Sequence, residues 1–228
     1  MRRRLAAILM ADVAGYTRLM DVSETETHTR LMALLDGVIS PAMATHHGRI
    51  VKHTGDGFLA YFGSVNSALQ CAIDIQQGVQ RREAAQVAES RIAFRMGLQV
   101  GDVMLRRNDV YGAGVNVAAR LQELAEPGSV MISATVREQV GSNLELPAID
   151  LGNLALKNVA NPVRAYRVVT SLEHSRPRLP AAGAPGRPSI AVLPFRSLDP
   201  DPEKAYFGEC MVEDIIASLA TLKELRVI

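Results

Sequence analysis

The apolar positions of the first hundred residues change period several times, which predicts alternating strands and helices. Residues 5–11 form a continuous apolar run, as in a strand buried on both faces. Residues 31–42 and 65–79 carry apolar side chains every three or four positions, which is typical of one face of a helix. A capping box at residues 23–26 should start the first helix. Residues 92–100 alternate strictly, as in a second long strand.

Two shorter strands are predicted between these helices. Residues 49–52 and 58–62 flank the turn-forming sequence Thr54-Gly55-Asp56-Gly57, so we expect a β-hairpin. Pro41 should kink or split the preceding helix, because proline cannot donate a backbone hydrogen bond. The resulting order of elements, β-α-β-β-α-β, is that of a ferredoxin-like core.

The pattern continues beyond this core to about residue 170. We expect residues 101–105 to form a hairpin partner, residues 114–125 a helix, residues 130–133 a strand and residues 166–169 a final strand. The sequence therefore predicts an α+β fold with a ferredoxin-like βαββαβ core and extra C-terminal strands and helices.

Composition divides the chain of 228 residues into a body and a tail. Residues 171–188 are rich in Pro, Ala, Gly and Arg without apolar periodicity, so a linker is expected between residues 1–170 and residues 189–228. The body, which is 170 residues long, is large enough for one domain, whereas the tail is too short to bury a core alone.

Charge and cysteine content exclude several classes of protein. Lys and Arg total 25 and Asp and Glu total 24, and Trp is absent, so nothing indicates a nucleic-acid partner. The first apolar run ends at Asp12, too early for an export signal or a membrane span. Cys71 and Cys210 cannot form a disulfide framework, and we expect a cytoplasmic protein.

Two aspartates are placed where strands end. Asp12 follows the first apolar run, and Asp56 lies in the predicted hairpin. If the first and third strands are antiparallel neighbours, the two carboxylates meet at one edge of the sheet and offer the oxygen ligands that Mg²⁺ or Mn²⁺ prefers. Without further signals, the favoured interpretation is that Asp12 is a helix cap and Asp56 a turn former.

Three longer motifs surround these residues. They are ADVAGYTRL at 11–19, GRIVKHTGDGFLAYF at 48–62 and DVYGAGVNVAARL at 109–121. In sequence and in order they resemble the motifs of the class III adenylate and guanylate cyclases, and the resemblance covers roughly residues 5–169. It implies that Asp12 and Asp56 hold two ions of Mg²⁺ or Mn²⁺ in each site.

The same resemblance implies how the nucleotide is bound. Backbone amides around Gly15, Tyr16 and Thr17 would hold phosphate at a strand-to-helix junction. Lys52 and Asp109 resemble the purine-reading pair of adenylate cyclases, because a lysine can donate to adenine N1 and an aspartate can accept from adenine N6. ATP is therefore the expected substrate.

Catalytic residues are implied on the helix of the third motif. Asn116 and Arg120 are spaced i and i+4 on one helix face, and they match the residues that orient the ribose and stabilise the α-phosphate. Lys157 lies where many members have a Lys-Gly phosphate contact, but here Asn158 replaces the glycine. An exposed surface lysine is the alternative interpretation for Lys157.

In this family the active site forms between two catalytic domains, and this chain carries both sets of residues. The resemblance therefore implies a homodimer with two composite sites that converts ATP to 3′,5′-cyclic AMP and pyrophosphate. Guanylate cyclase activity and a non-catalytic, nucleotide-binding regulatory module are the alternatives. Residues 189–228 resemble the start of a TolB-like amino-terminal domain, and we expect a truncated form of that domain.

Overall fold

One sheet of eight strands organises the part of the chain that the computed structural model describes. The described residues are 2–106, 109–141, 147–170, 189–190 and 226–227. The strand order is β2-β3-β1-β4-β6-β8-β7, and β5 pairs with β4 alongside this path. The strands are β1 (Arg2–Val13), β2 (Arg49–His53), β3 (Phe58–Phe62), β4 (Phe94–Arg106), β5 (Asp109–Tyr111), β6 (Val130–Ser133), β7 (Ala148–Leu154) and β8 (Val163–Val168).

The ferredoxin-like core is confirmed. Strand β1 pairs antiparallel with β3 on one side and with β4 on the other, and β2 closes the edge by pairing with β3. The helices are α1 (Tyr16–Val22), α2 (Glu24–Leu34), α3 (Ser40–Thr45), α4 (Val65–Glu83), α5 (Ala113–Leu124) and α6 (Ala134–Val140). A short 3-10 turn, Ala88–Ser90, lies between α4 and β4.

The first helical segment is more broken than its apolar period predicts. A π-helical turn, Leu35–Ile39, joins α2 to α3, and Pro41 stands in the first turn of α3, where its missing N–H costs nothing. Ser23 is the N-cap of α2, but its side chain makes no capping hydrogen bond, so the predicted capping box does not form. The Ser23 amide instead donates to the Leu19 carbonyl and closes α1, which the sequence pattern did not reveal.

Both faces of β1 are buried, which explains its continuous apolar run. Ala7, Leu9 and Ala11 point into the main core, which also contains apolar side chains of α2, α4 and α6. Ala6 and Ile8 point to the opposite face, where they share a smaller cluster with Ala118 of α5. Because successive strand residues alternate between faces, a strand covered on both sides loses the alternating pattern.

One prediction for the second half of the body is wrong, and one strand was not predicted. Residues 101–105 are the continuation of β4 rather than a separate hairpin partner, and β5 is the strand that turns back onto β4. The final strand, β8, lies between β6 and β7, so the edge is formed by β7. The sequence pattern missed β7 because most of its side chains are exposed and show no apolar alternation.

The chain divides into two compact units, Met1–Ser175 and Arg176–Ile228. In the second unit the structure describes only β9 (Ser189–Ile190) and β10 (Arg226–Val227), which pair in parallel. The predicted linker and the rest of the TolB-like segment lie outside the described residues. Within the described part of the chain, we find no helix with the length and apolar character that crossing a membrane requires.

Close packing of α5 on β4 gives a test of this fold. A Cβ atom at Gly97 would lie 2.2 Å from the Ala118 carbonyl oxygen and 2.4 Å from the Gln122 amide nitrogen. Since both are backbone atoms, Gly97→Ala should lower the free energy of unfolding by about 2–4 kcal/mol in urea titrations. Gly63→Ala is the matched control, because a Cβ at Gly63 meets no atom within 4 Å. Equal effects of the two substitutions would contradict the packing described here.

Candidate functional site

Asp12 and Asp56 are brought together where β1 ends. The register pairs Ala11 with Phe58, so the turn that carries Asp56 lies beside the last residues of β1. The Asp56 carboxyl is within hydrogen-bonding reach of the Asp12 carboxylate. Alternation along β1 places Asp12 on the same side of the sheet as Ile8, which is the side that α5 covers. The predicted meeting of the two carboxylates is therefore observed.

Gly57 makes this approach possible. A Cβ atom at position 57 would lie 2.1 Å from the Ala11 carbonyl oxygen and 2.9 Å from the Asp12 Cα atom. The hairpin backbone thus packs directly against the backbone of β1, which only a residue without a side chain allows. The glycine that follows Asp56 is as important for the geometry as the aspartate itself.

The Asp12–Asp56 pair is electrostatically unfavourable in the absence of a cation. The pKa of Asp56 is raised from 3.8 to about 6, first by partial burial and then by the hydrogen bond and the negative charge of Asp12. The Asp56 backbone hydrogen bond and the positive charge of Arg95 oppose this rise but do not cancel it. Two acidic groups this close need a positive partner to be ionised together.

Arg95 is a component of the site that the sequence pattern did not reveal. It stands opposite Asp12 in the β1–β4 ladder, and its Nη2 atom donates to Asp12 Oδ2 over 3.2 Å. Its Nε atom is buried and has no hydrogen-bond partner. The pairing joins residues 83 positions apart, so only the strand register could have indicated it. Arg95 therefore offers a cation beside the acidic pair.

The chemistry of Asp12 and Asp56 fits a divalent cation. Carboxylate oxygens are the ligands that Mg²⁺ and Mn²⁺ prefer, and a cation would favour the ionised form of Asp56, which burial and the charge of Asp12 both disfavour. In the part of the chain that the structure describes, no group of three or more His, Cys, Asp or Glu side chains is arranged to hold a metal. A pair of carboxylates leaves the remaining coordination positions to water or to substrate oxygens.

The loop predicted to hold phosphate directly follows Asp12. Gly15 is the N-cap of α1 and adopts a left-handed conformation with φ of 66°. The Thr17 side chain is exposed, whereas Tyr16 is half-buried and packs against the main core. The Ala14 amide donates to the Ala93 carbonyl, so it is engaged within the fold. Tyr16 is thus placed to anchor the loop, and a phosphate role for the loop stays a prediction.

Lys52 and Asp109, the predicted purine-reading pair, lie on strands that approach each other. Lys52 is exposed on β2, and Asp109 begins β5 and pairs with Arg106 of β4. Strands β2 and β5 are close neighbours, and Val51 and Val110 contribute to the same apolar cluster. The fold therefore brings these two strands together, and the side chains of Val51 and Val110 lie on the face of the sheet that α5 covers.

Asn116 and Arg120 lie one turn apart on α5, and Asn116 is exposed. Arg120 is not free, because its Nη1 atom donates to Glu123 Oε1 over 2.5 Å and to Glu123 Oε2 over 2.7 Å. This hydrogen bond and the charge of Glu123 raise the pKa of Arg120 above its ordinary value. Glu123 was not predicted, although its i,i+3 spacing from Arg120 is visible in the sequence.

Lys157 is exposed in the turn between β7 and β8, next to the buried Leu156. Asn158 has a φ of 61°, a left-handed conformation that asparagine tolerates better than most residues. The replacement of glycine by Asn158 is thus compatible with a left-handed turn. A phosphate contact by Lys157 stays a prediction.

Comparison with known proteins identifies the family. Residues 2–167 match the adenylate and guanylate cyclase catalytic domain. A Rhizobium meliloti (strain 1021) protein is named "Putative adenylate cyclase 3". It is 42% identical over an alignment of 236 positions, which covers 100% of this chain and 39% of that protein. This chain therefore belongs to the adenylate and guanylate cyclase catalytic domain family, and it spans well under half the length of that relative.

Solved structures support the same fold. The crystal structure of an adenylate/guanylate cyclase/hydrolase from Silicibacter pomeroyi is 41% identical, with a TM-score of 0.69, and the match covers 74% of this chain and 98% of that one. The adenylyl cyclase CyaB from P. aeruginosa is 24% identical, with a TM-score of 0.64, over 75% of this chain and 96% of that one. At 24% identity, the similarity to CyaB supports only the fold.

The close contact at Gly57 predicts a specific loss of metal binding. Gly57→Ala should force the hairpin away from β1 and separate Asp56 from Asp12, which should weaken Mn²⁺ affinity by about tenfold or more. Electron paramagnetic resonance of free Mn²⁺, titrated with protein and a non-cyclisable ATP analogue, measures this affinity. Gly63→Ala should bind Mn²⁺ like the wild type, and equal affinity in the Gly57 variant would contradict the prediction.

The repulsion between Asp12 and Asp56 predicts opposite effects on stability and on metal binding. Asp56→Asn should raise the unfolding midpoint of the metal-free protein, because one of two crowded acids is removed. The free energy of unfolding should increase by about 1 kcal/mol or less. Mn²⁺ should raise the unfolding midpoint of the wild type, and the same variant should lose this stabilisation. A thermal-shift experiment with and without Mn²⁺ measures both, and a less stable metal-free variant would overturn this account.

Proposed function

We propose that this chain is an adenylate cyclase that converts ATP to 3′,5′-cyclic AMP and pyrophosphate in a homodimer with two composite sites. The observation that carries the proposal is the convergence of Asp12 and Asp56, beside Arg95, at the end of β1. A domain that only bound a partner would have no need for two crowded carboxylates. Family membership and the name of the Rhizobium meliloti relative support the same reaction.

The reaction is an intramolecular displacement at phosphorus. The ribose 3′-oxygen forms a bond to the α-phosphorus, the bond to the bridging oxygen breaks, and pyrophosphate leaves while the 3′-hydroxyl proton passes to solvent. Two Mg²⁺ or Mn²⁺ ions held by Asp12 and Asp56 would lower the pKa of the 3′-hydroxyl and neutralise the triphosphate. The residues of the chain hold the two reacting atoms in line and stabilise the charge that develops between them.

Cationic and amide groups have separate parts in this scheme. Arg95, already beside Asp12, would contact the anionic triphosphate together with the loop at Gly15 and Thr17. Asn116 would orient the ribose, and Arg120 would meet the α-phosphate oxygens, to which its planar guanidinium is well matched. Lys157 would add a further phosphate contact.

ATP is proposed over GTP because of Lys52 and Asp109. A lysine can donate to adenine N1, and an aspartate can accept from the adenine N6 amino group. Guanine has a donor where adenine has this acceptor, and an acceptor where adenine has this donor. The neighbouring positions of β2 and β5 support a joint role for these two residues.

Partly exposed apolar side chains support a two-fold assembly. Met10, Val51 and Tyr61 are only half-buried, on the same side of the sheet as Asp12, and Tyr111 of β5 is 47% exposed. A second copy of the chain would cover these side chains and bring its own α5 toward the acidic pair. In this arrangement Asp12 and Asp56 act with Asn116 and Arg120 of the opposite subunit.

Cyclic nucleotide production by purified protein tests the proposal. With Mn²⁺ and ATP, specific activity should rise with protein concentration as dimers form, and GTP in competition should yield less product. Asp56→Asn and Arg120→Ala should each lower the rate by about 10²-fold or more. An equal mixture of the two variants should recover about a quarter of wild-type activity, since half of the dimers retain one intact site.

Each alternative has its own outcome in this experiment. Preferential cyclic GMP formation would replace the adenylate assignment with guanylate cyclase activity. A folded, dimeric protein that forms neither product at any concentration would overturn the catalytic proposal. Full activity at protein concentrations where only monomers exist, or no recovery in the mixture, would contradict the composite site.

A further inference from the structure

One face of α5 carries three polar residues in a row. Asn116, Arg120 and Glu123 are separated by four and three positions, so they follow one another along the same side of the helix. Both carboxylate oxygens of Glu123 accept from a single atom, Arg120 Nη1. The geometry differs from the parallel fork that a carboxylate forms with two guanidinium nitrogens, so the other Arg120 donors are left to other acceptors.

The contact lies on the C-terminal side of Arg120. Side chains on a helix lean toward its N-terminus, so the ordinary direction for the Arg120 side chain is toward Asn116. Glu123 lies one turn on the C-terminal side and draws the guanidinium the other way. An acidic residue placed C-terminal to its basic partner is the weaker of the two orders on a helix. The pair therefore engages the Arg120 Nη1 atom with a residue on the C-terminal side, whereas Asn116 lies one turn on the N-terminal side.

Glu123 has no competing cation among the described contacts. The nearby Glu126, which follows α5, pairs with Arg167 of β8, so that arginine is already engaged. The Glu123 side chain is 53% exposed and that of Arg120 is 28% exposed. An ion pair at this level of exposure is weak, and an incoming anion can replace it.

We propose that Glu123 is a positioning residue that holds Arg120 in the nucleotide-free protein and releases it to the triphosphate when ATP binds. This inference rests on the proposed function, because it assumes that Arg120 meets phosphate. Because the Arg120–Glu123 pair must break when nucleotide binds, the affinity for nucleotide is lower than it would be without the pair. In the nucleotide-free protein, the pair keeps the Arg120 guanidinium ordered on the helix face that it shares with Asn116. Glu123 thus sets the affinity for the nucleotide without touching it.

The test is the charge-neutral substitution Glu123→Gln, compared with Glu138→Gln on α6. Glu138 is exposed, so its variant removes the same charge at an unrelated place. Glu123→Gln should lower the KM for ATP by about two- to fivefold, the size expected for an exposed ion pair, with kcat changed less than twofold. Glu138→Gln should leave both constants at wild-type values. The difference in KM should shrink at high salt, because screening weakens the pair in the wild type.

A second readout does not depend on catalysis. Phenylglyoxal modifies free guanidinium groups, and peptide mass spectrometry follows Arg120 individually. Arg120 should react faster in Glu123→Gln than in the wild type or in Glu138→Gln, and a non-cyclisable ATP analogue should slow that reaction in every variant. Unchanged Arg120 reactivity and an unchanged or higher KM in Glu123→Gln would overturn the inference.

The two proposals fail in distinguishable ways. If the wild type forms no cyclic nucleotide but Arg120 reacts faster in Glu123→Gln and is protected by the analogue, the role of Glu123 stands and the catalytic proposal falls. If cyclic AMP forms but KM and Arg120 reactivity are the same in both glutamate variants, the catalytic proposal stands and Glu123 has no positioning role.

Discussion

Strand β1 hydrogen-bonds to β3 along one edge and to β4 along the other, and the remainder of the site depends on this double pairing. Its last residues are held between the hairpin that carries Asp56 and the strand that carries Arg95. No side chain at Gly57 separates the hairpin from β1, so the two backbones meet directly. A shift of one residue in either register would turn Asp12 to the opposite face of the sheet.

The charged groups of the site are largely balanced against one another. Asp12 pairs with Arg95, and Arg120 pairs with Glu123. Each pair joins an acid to a base that could also meet a metal ion or a phosphate. Asp12 and Arg120 therefore each have a partner of opposite charge, and the proposed metal-bound triphosphate would supply partners of both signs at once. The acidic pair formed with Asp56 is the exception, and together with partial burial, which is the larger cause, it raises the pKa of Asp56.

Prediction from the sequence succeeded where the signal is local and long. The helix α4 has 19 residues, and its N-cap Ser64 accepts from the Ser67 amide as its position suggests. The apolar pattern did not indicate α1, a seven-residue helix without a side-chain cap that only the family resemblance implied. It also did not indicate β7, whose side chains are mostly exposed. Short elements bury too few side chains to leave a periodic pattern, and their conformation is set by what they pack against.

The sequence by itself determined the order of the elements in the ferredoxin-like core and the identity of the motif residues, because these depend on periodicity and on spacing along the chain. Tertiary structure alone decided that Arg95 stands beside Asp12, since the two residues are 83 positions apart and meet only through the β1–β4 register. It also decided the direction of the Arg120 side chain, which helical spacing permits to reach either Asn116 or Glu123. Contacts across strands and choices between neighbours are set by packing, and no local pattern records them.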